Sequence, residues 1–208
     1  MPRYVCAFLP AFSIESRRKT QPCPPPEPFA LVALTSGGWH LDAPSPVARR
    51  LGLYAGQLLG DARARVPTLV TAPVNRAREQ ARLRELSLWC TRFSPYVAPW
   101  PEIDAGATGL TFDMTGCAHL FGGEAALLRC MTEALARLGL TARLAMADSI
   151  GAAHALCRHG GKAQIIVDST TQTQALCALP VAALRISAQT AATLRHLGLT
   201  RIGDVMDL

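Results

Sequence analysis

The side chains that could do chemistry in this sequence are few, and the acidic ones are scattered. Asp113 lies in the segment LTFDMTG, where a predicted strand runs into the turn Thr115-Gly116. A carboxylate pair on neighbouring strands would hold divalent cations for phosphoryl chemistry, because Mg²⁺ prefers hard oxygen ligands. No acidic residue occurs between Asp104 and Asp113. We therefore expect Asp113 to cap the turn, and Glu102 and Asp104 to lie at a solvated loop edge.

The cysteines and histidines do not form a pattern typical of a metal or nucleophile site. The seven cysteines are odd in number and contain no Cys-x-x-Cys pair, so neither a disulfide framework nor a zinc knuckle fits. Free cysteines among apolar neighbours act as small core residues, and a reducing cytoplasm is their expected compartment. His119 lacks an adjacent nucleophile. His154 and His159 are five residues apart, too far around a helix to share a metal ion.

The basic residues point to a polyanionic partner. The net charge is +6, and all but two of the 21 basic residues are arginine. Because arginine binds phosphate with two parallel hydrogen bonds, this balance favours nucleic acid. A compositional bias toward arginine is the alternative explanation. Arg76, Arg78, Arg82 and Arg84 lie on one predicted helix, where they could contact phosphates or form a solvated, ion-paired face.

The composition is that of a globular protein. Of the 208 residues, 50% are hydrophobic and 17% are charged, and the mean hydropathy is +0.19, which excludes a disordered chain. No apolar stretch approaches the roughly 20 residues of a membrane span. The N-terminus lacks a basic segment and a cleavage site of the kind found in signal peptides. Secreted and membrane protein classes are therefore not expected.

The elements that must position these side chains alternate between strand and helix. Two Pro-rich segments, at 20–28 and 67–73, border a small subdomain that contains a hairpin at Ser36-Gly37-Gly38. Apolar spacing predicts a helix over 75–91 with Leu83, Leu86 and Leu88 largely on one side. The predicted strands are 3–9, 29–34, 38–42, 68–72, 93–98, 107–114, 142–147 and 164–167, and the predicted helices are 45–53, 58–65, 75–91, 124–138 and 149–159, with helical segments from 173 onward. This order predicts a split α+β sheet.

The segment LTFDMTGCAHLFGGE at 110–124 carries a specific resemblance. It is similar to a stretch of the ImuB-type proteins, the bacterial mutasome branch of the Y-family DNA polymerases. Three other segments resemble the same family in the right order: RYVCAFLPAFSIE at the N-terminus, SPVARRLGLYAGQLLGDARARVPTL, and ALPVAALRISAQTAATLRHLGLTRIGDV. The resemblance spans essentially the whole chain.

The resemblance implies an α+β fold with a Y-family polymerase-like palm, a split βαββαβ sheet with helices on one face, at 1–18 and 75–165. It further implies a fingers-like insertion at 19–74 and a partial thumb with a degenerate helix-hairpin-helix at 166–208. The family's little finger and C-terminal tail are absent from the sequence, so we expect it to be part of a longer chain.

The resemblance also predicts the loss of the polymerase metal site. An active family member carries one aspartate on the first strand and an Asp-Glu pair before the second. The first-strand positions read Cys6, Ala7, Phe8 and Leu9 here, and the pair falls on Thr108 and Gly109. None of these side chains suits Mg²⁺, so we expect no catalytic residue, no metal and no cofactor.

Other parts of the family's nucleotide site are mostly replaced. Phosphate-binding lysines of the family fall near Ile150 and on His154. The thumb turn is expected at 187–190, where the absence of glycine would hinder close approach to phosphate. Arg49 matches a fingers arginine that faces the triphosphate, and Arg50 lies beside it. These two are the candidate phosphate-facing residues.

The function implied is a catalytically inactive polymerase homologue. It would act as a DNA-binding and protein-docking hub in SOS-type, damage-induced mutagenesis and translesion synthesis. The implied partners are damaged or primed DNA, an ImuA-type protein, an error-prone replicative-type DNA polymerase and the sliding clamp, in the bacterial cytoplasm at the nucleoid. Two alternatives stay open: an active translesion polymerase with displaced metal ligands, and a protein adaptor without DNA contact in this part.

Overall fold

A computed structural model describes residues 1–18, 27–100 and 106–206. Most of the predicted Pro-rich segment at 20–28, together with Glu102 and Asp104, lies outside the described residues. The strands form one sheet of five and one sheet of three. Within the described ranges, no helix is both long enough and apolar enough to cross a bilayer.

The five-stranded sheet is built around the N-terminal strand. Strand β1 (Tyr4–Leu9) lies between β6 (Thr108–Asp113) and β7 (Arg143–Ala147), and it is antiparallel to both. Its residues from Val5 to Leu9 are all buried, as expected for a central strand covered on both faces. The sheet order is β5 (Val97–Pro99), β6, β1, β7 and β8 (Gln164–Ile166). The split order predicted from the sequence is confirmed.

Two helices cover one face of this sheet. Helix α4 (Arg76–Cys90) and helix α5 (Glu124–Arg137) pack on the face that carries Val5, Ala7 and Leu9. The helix predicted at 124–138 is confirmed as α5, and four residues of its apolar stripe are fully buried: Leu127, Leu128, Met131 and Leu135. In α4 the prediction was partly wrong. Leu83 and Leu86 are buried, but Leu88 is 71% exposed, because it lies about 200° around the helix from Leu86.

A third helix covers part of the opposite face. Helix α6 (Ile150–His159) packs against Cys6 of β1 and Ala145 of β7. Its buried residues are mainly alanines, and such small side chains let the helix approach the strands closely. The expectation of helices on one face therefore describes α4 and α5, and α6 departs from it.

The three-stranded sheet forms the second part of the fold. It consists of β2 (Phe29–Thr35), β3 (Gly38–Pro44) and β4 (Val70–Pro73), with β2 in the middle. The hairpin between β2 and β3 turns at Ser36-Gly37, and Gly38 has a φ of 101° that favours glycine. Two short helices, α2 (Pro46–Arg50) and α3 (Leu59–Arg65), accompany this sheet. Ser45 caps α2 by accepting a hydrogen bond from the amide of Ala48, as expected.

The C-terminal part is helical, as predicted. It contains α7 (Gln172–Cys177), a 3₁₀ turn (Val181–Leu184), α8 (Ala188–His196) and α9 (Ile202–Met206). Leu179, Ala183 and Ile202 bury against α6 and so join this part to the sheet. The turn expected at 187–190 was placed wrongly. Ser187 instead caps α8 through the amide of Thr190, and the turn lies at 185–187.

Two short helices were not predicted. Helix α1 (Phe12–Arg18) follows β1 directly, and a 3₁₀ turn spans Ala118–Phe121. Neither segment is longer than two helical turns. Each therefore offers too few residues for a 3.6-residue period to be recognised.

Candidate functional site

Strands β1 and β6 bring the predicted metal-ligand positions together. Phe8 lies opposite Gly109, and Cys6 lies opposite Thr111. Directly opposed residues share a face of the sheet, so these four point to the side away from α4 and α5. Thr108 lies opposite Leu9 on the other face and is buried. A thiol, a phenyl ring, a glycine and a hydroxyl offer no carboxylate oxygen to a divalent cation.

Trp100 occupies the space in front of Gly109. Its indole stacks on Phe8 with ring centroids 6.0 Å apart and planes at 23°. Its Nε1 donates a hydrogen bond of 3.0 Å to Oγ1 of Thr111. A Cβ placed on Gly109 would lie 2.7 Å from Cδ2 of Trp100 and 2.6 Å from the carbonyl oxygen of Ala7. A side chain at position 109 therefore requires the tryptophan or the strand to move.

Arginines surround the same aromatic pair. The guanidinium carbon of Arg143 lies 4.8 Å from the Phe8 ring centroid, and that of Arg158 lies 5.5 Å from it. Arg143 also donates a 2.8 Å hydrogen bond to the carbonyl of Arg158. Cations over an aromatic face are attracted by its quadrupole. Positive charge is thus held by protein side chains on this face of the sheet.

A cleft of about 700 Å³ opens between this face and the C-terminal helices. Trp100 and Thr111 line its sheet side, and the α6 side chains His154 and Arg158 line its floor. Arg185 and the start of α8 form the opposite wall. A cleft of this volume matches the usual range for small-ligand sites.

One of the two histidines that line this cleft, His154, is neutral at pH 7. His154 lies 4.3 Å from Trp100 between ring centroids. Burial, together with the charges of Arg185, Arg158 and His159, lowers the pKa of His154 to about 4. Desolvation and like charge both disfavour the imidazolium. The positive charge of the cleft therefore comes from its arginines.

Arg185 has an unusual backbone conformation. Its φ of 58° makes it the non-glycine residue with positive φ in the described part of the chain. The left-handed region costs roughly 1–2 kcal/mol for an L-residue with a Cβ. The Arg185 side chain is exposed and lines the cleft. An arginine held in a conformation better suited to glycine or asparagine points to a role for its charge.

The thiol at position 6 is buried beside a second thiol. A hydrogen bond with Cys157 lowers the pKa of Cys6, whereas burial raises the pKa of Cys157 well above its usual value. All six cysteines in the described ranges are free. Those ranges also contain no group of three or more His, Cys, Asp or Glu side chains that could hold a metal ion.

Asp113 lies at the far end of β6 from Thr108. At about 3.4 Å per residue, five residues of strand separate the two by roughly 17 Å. The Asp113 carboxylate accepts a 2.9 Å hydrogen bond from the amide of Thr115, which is the turn cap that the sequence predicted. Asp113 therefore lies too far away to complete a metal site with residues at positions 108 and 109.

Comparison with known proteins identifies the family. The impB/mucB/samB family model matches residues 31–158, which is more than half of the chain. The chain belongs to the impB/mucB/samB family. The curated Protein ImuB of Caulobacter vibrioides (strain NA1000 / CB15N) is 49% identical over 158 residues, which cover 76% of this chain and 33% of that protein. The chain is ImuB-like, and its match spans about a third of the length of this relative.

Solved structures confirm a Y-family polymerase fold. DinB from Sulfolobus solfataricus superposes with a TM-score of 0.76 and 16% identity, covering 100% of this chain and 60% of that one. An insertion ternary complex of Dbh DNA polymerase gives a TM-score of 0.81 and 15% identity, covering 99% of this chain and 60% of that one. At such identities the likeness establishes the fold alone.

Within this impB/mucB/samB chain, the predicted phosphate-facing arginines lie apart from the cleft lining. Arg49 and Arg50 form the last turn of α2 and are both exposed. Nε of Arg49 donates a 3.1 Å hydrogen bond to the carbonyl of Pro44. The role of this pair stays a prediction, as does the assignment of Cys6, Phe8, Thr108 and Gly109 to former catalytic positions.

The arginines of α4 divide into paired and solvated members. Arg76 bridges Glu79, at 2.8 Å, and Asp42 of β3. Arg82 pairs with Glu85 at 2.8 Å. The ion-paired interpretation of this helix face therefore holds for Arg76 and Arg82, and Arg76 links the larger sheet's helix to the smaller sheet.

Sequence reasoning missed the residues that define the cleft. Trp100 follows Pro99 in a segment without periodicity, and Arg185 lies in an apolar run. Their importance comes from contacts with residues tens of positions away, which no local pattern reports. The one available signal was the aromatic residue directly after Pro99.

Proposed function

We propose that this protein is a catalytically inactive Y-family polymerase homologue that binds DNA and docks other proteins in damage-induced mutagenesis and translesion synthesis. The observation that carries the proposal is the face of β1 and β6, where Cys6, Phe8 and Gly109 lie beneath Trp100. In this interpretation the larger sheet is the palm, the smaller sheet the fingers, and the C-terminal helices the start of the thumb.

The argument for inactivity is chemical. Nucleotidyl transfer on two metal ions requires carboxylates that converge on cations about 4 Å apart. The face described above presents a thiol, an aromatic ring and a glycine, and Asp113 caps a turn at the other end of the strand. Trp100 fills the space that a carboxylate at position 109 would need. These observations support a scaffold in which this sheet face packs against Trp100 and does not bind metal ions.

The argument for DNA contact rests on shape and charge. The Dbh neighbours include a post-insertion binary complex and an insertion ternary complex of that polymerase. The present chain shares their fold and carries a net charge of +6. A basic protein with a nucleic-acid-binding fold gains affinity by releasing counterions from phosphates. Binding to damaged or primed DNA is therefore part of the proposal.

The proposed protein partners come from the likeness to Protein ImuB. They are an ImuA-type protein, an error-prone replicative-type DNA polymerase and the sliding clamp, assembled at the nucleoid in the cytoplasm. The hub would hold the primed template while a partner polymerase carries out synthesis.

Primer extension tests this proposal. The full-length protein is incubated with a primed template, all four deoxynucleotides and Mg²⁺ or Mn²⁺, with an active Y-family enzyme as positive control. Fluorescence anisotropy on the same DNA runs in parallel. We expect DNA binding without extension. Extension by the protein would overturn the inactive assignment, whether or not it disappears in Asp113→Ala. Absence of binding at any salt concentration would instead support an adaptor that does not contact DNA.

A further inference from the structure

A groove runs along helix α4, between it and helix α1. It consists of two adjoining hollows that share Ser16 of α1 and Arg82 of α4 in their walls. The lining begins at Asn75, which caps α4, and extends along the helix to Trp89. At about 1.5 Å per residue this stretch is roughly 20 Å long, which is enough to seat a short peptide. We call this surface the α1–α4 groove.

One end of the groove is an apolar pocket of about 180 Å³. Phe12, Leu86, Trp89, Leu138 and Leu140 line it. An apolar cavity of about 150 Å³ stays dry and holds one benzene-sized molecule. This end of the groove therefore accommodates one aromatic or large aliphatic side chain.

The other end of the groove presents positive charge. Arg78 lines it and is exposed, and no acidic side chain of the described residues forms an ion pair with Arg78. The glutamates of the groove are already engaged. Glu79 is buried and pairs with Arg76 at 2.8 Å, and Glu85 pairs at 2.8 Å with its α4 neighbour three residues before it. Arg78 is thus a cation that an acidic ligand can reach.

We propose that the α1–α4 groove docks a short acidic segment of a partner protein, with one aromatic or large aliphatic side chain in the apolar pocket and a carboxylate paired with Arg78. The inference rests on the protein-docking role of the proposed function and names the surface and the chemistry of the partner. Arg78 and Leu86 are eight residues apart on α4, which corresponds to about 12 Å. An extended peptide covers that distance in about four residues.

The groove lies on the opposite side of the larger sheet from the cleft beside Trp100. Helix α4 covers the sheet face that carries Val5, Ala7 and Leu9, whereas the cleft opens on the face of Phe8. A partner in the groove therefore leaves the cleft accessible, as a docking hub requires.

A second copy of this chain is a less suitable occupant. Its α4 also carries Arg78 and Arg84 as exposed cations, so two such helices packed together would bring like charges into contact. An acidic partner instead complements the charge of this surface.

Peptide selection on phage tests the predicted chemistry. Random twelve-residue peptides are selected on the immobilised full-length protein and, in parallel, on its Arg78→Glu variant. On the parent we expect enriched peptides with an aromatic or large aliphatic residue and an Asp or Glu about four positions away. On Arg78→Glu the acidic residue should be replaced by Lys or Arg, because the reversed charge favours a cation. Absence of a shared pattern, or the same acidic pattern on both proteins, would overturn the proposal.

Affinity measurements with an enriched peptide locate its binding site. A fluorescein-labelled copy is titrated with full-length variants and followed by anisotropy. Ser16→Phe places a ring where the two hollows meet, so it should weaken binding roughly 30-fold or more, as for loss of a buried anchor. Ser16→Ala keeps the groove open and should retain the affinity of the parent. Equal affinity of the parent and Ser16→Phe would place the peptide elsewhere and overturn the proposal.

The matched control for charge is Arg84→Glu, because Arg84 is exposed on the same helix but lies outside the groove lining. Arg78→Glu should weaken peptide binding about 5-fold, whereas Arg84→Glu should change it less than about 2-fold, since salt screens the more distant charge. Equal losses would reveal a general effect of charge and overturn the assignment. Both arginines are exposed, so this comparison stands even if Ser16→Phe fails to fold.

DNA anisotropy and primer extension on the same proteins separate this test from that of the proposed function. Failed groove predictions together with retained DNA binding and no extension would overturn the groove assignment alone. Extension by the parent, or absence of DNA binding, would overturn the proposed function whatever peptides are selected.

Discussion

The two faces of the larger sheet are covered by different kinds of side chain. On one face Val5, Ala7 and Leu9 pack against leucines and methionines of α4 and α5. On the other, Phe8 packs against Trp100 and two arginines beside an open cleft. Buried polar atoms without hydrogen-bond partners occur on this second face, namely Nε of Arg143 and Nδ1 of His154. Alternate residues of one strand thus serve a core that stabilises the fold and a surface suited to a ligand.

The largest expected effect is a difference in stability between variants on the two faces of one strand, β6. Phe112 of β6 is fully buried on the core face, and Phe112→Ala should lower the free energy of unfolding by about 4 kcal/mol. Thr111→Ala, its neighbour on the cleft face, loses the hydrogen bond from Trp100 and should cost about 1 kcal/mol. Urea denaturation of both variants measures the difference. Similar losses at the two positions would contradict the division drawn here.

A second test concerns the space in front of Gly109. Gly109→Ala should destabilise the protein by about 1–3 kcal/mol, because its Cβ would overlap Trp100 and the Ala7 carbonyl. In the Trp100→Ala background the same change should cost at least about 0.5 kcal/mol less. Gly60→Ala in α3 is the control, since no atom lies within 4 Å of its added Cβ. Additive losses in thermal or urea unfolding would show that Trp100 does not fill this space.

A third test uses the pH dependence of His154. The folded pKa of about 4 lies below the ordinary value of 6.5, so the unfolded chain binds the proton first as the pH falls. Stability from this group is complete above pH 6.5 and is lost progressively toward pH 4. With allowance for partial solvent screening, we expect about 1 kcal/mol less stability at pH 5 than at pH 7. His154→Gln should remove that part of the loss, and an unchanged profile would contradict it.

The smallest effect is expected at Arg185. Arg185→Gly should raise the free energy of unfolding by up to about 1 kcal/mol, because glycine adopts a φ of 58° without steric cost. The same variant should bind DNA more weakly, as the charge is lost. Parallel measurements of the urea midpoint and of DNA anisotropy examine both. A variant that is less stable than the parent would show that the turn is not strained.

The sequence predicted elements whose residues follow a clear period or turn pattern. The buried run of β1, the stripe of α5, the hairpin before Gly38 and the Asp113 cap all depend on neighbours within a few positions. Leu88 was misjudged because its apolar side chain suggested the buried face, although its position about 200° around the helix from Leu86 places it on the other side. The resemblance supplied the fold, and its assignment of replaced ligand positions stays a prediction. It could not supply the contact between Trp100 and Gly109, which depends on how a loop returns to the sheet.

The contact between Trp100 and Gly109 also restricts the paths open to this protein in evolution. A carboxylate introduced at position 109 meets the indole and the neighbouring strand at once, so the first substitution destabilises the fold and brings no metal site in return. Removing the indole first leaves an unfilled gap beside Phe8. A lineage that carries this pair can therefore acquire a metal-binding face only by passing through less stable intermediates, so selection for stability preserves the present arrangement.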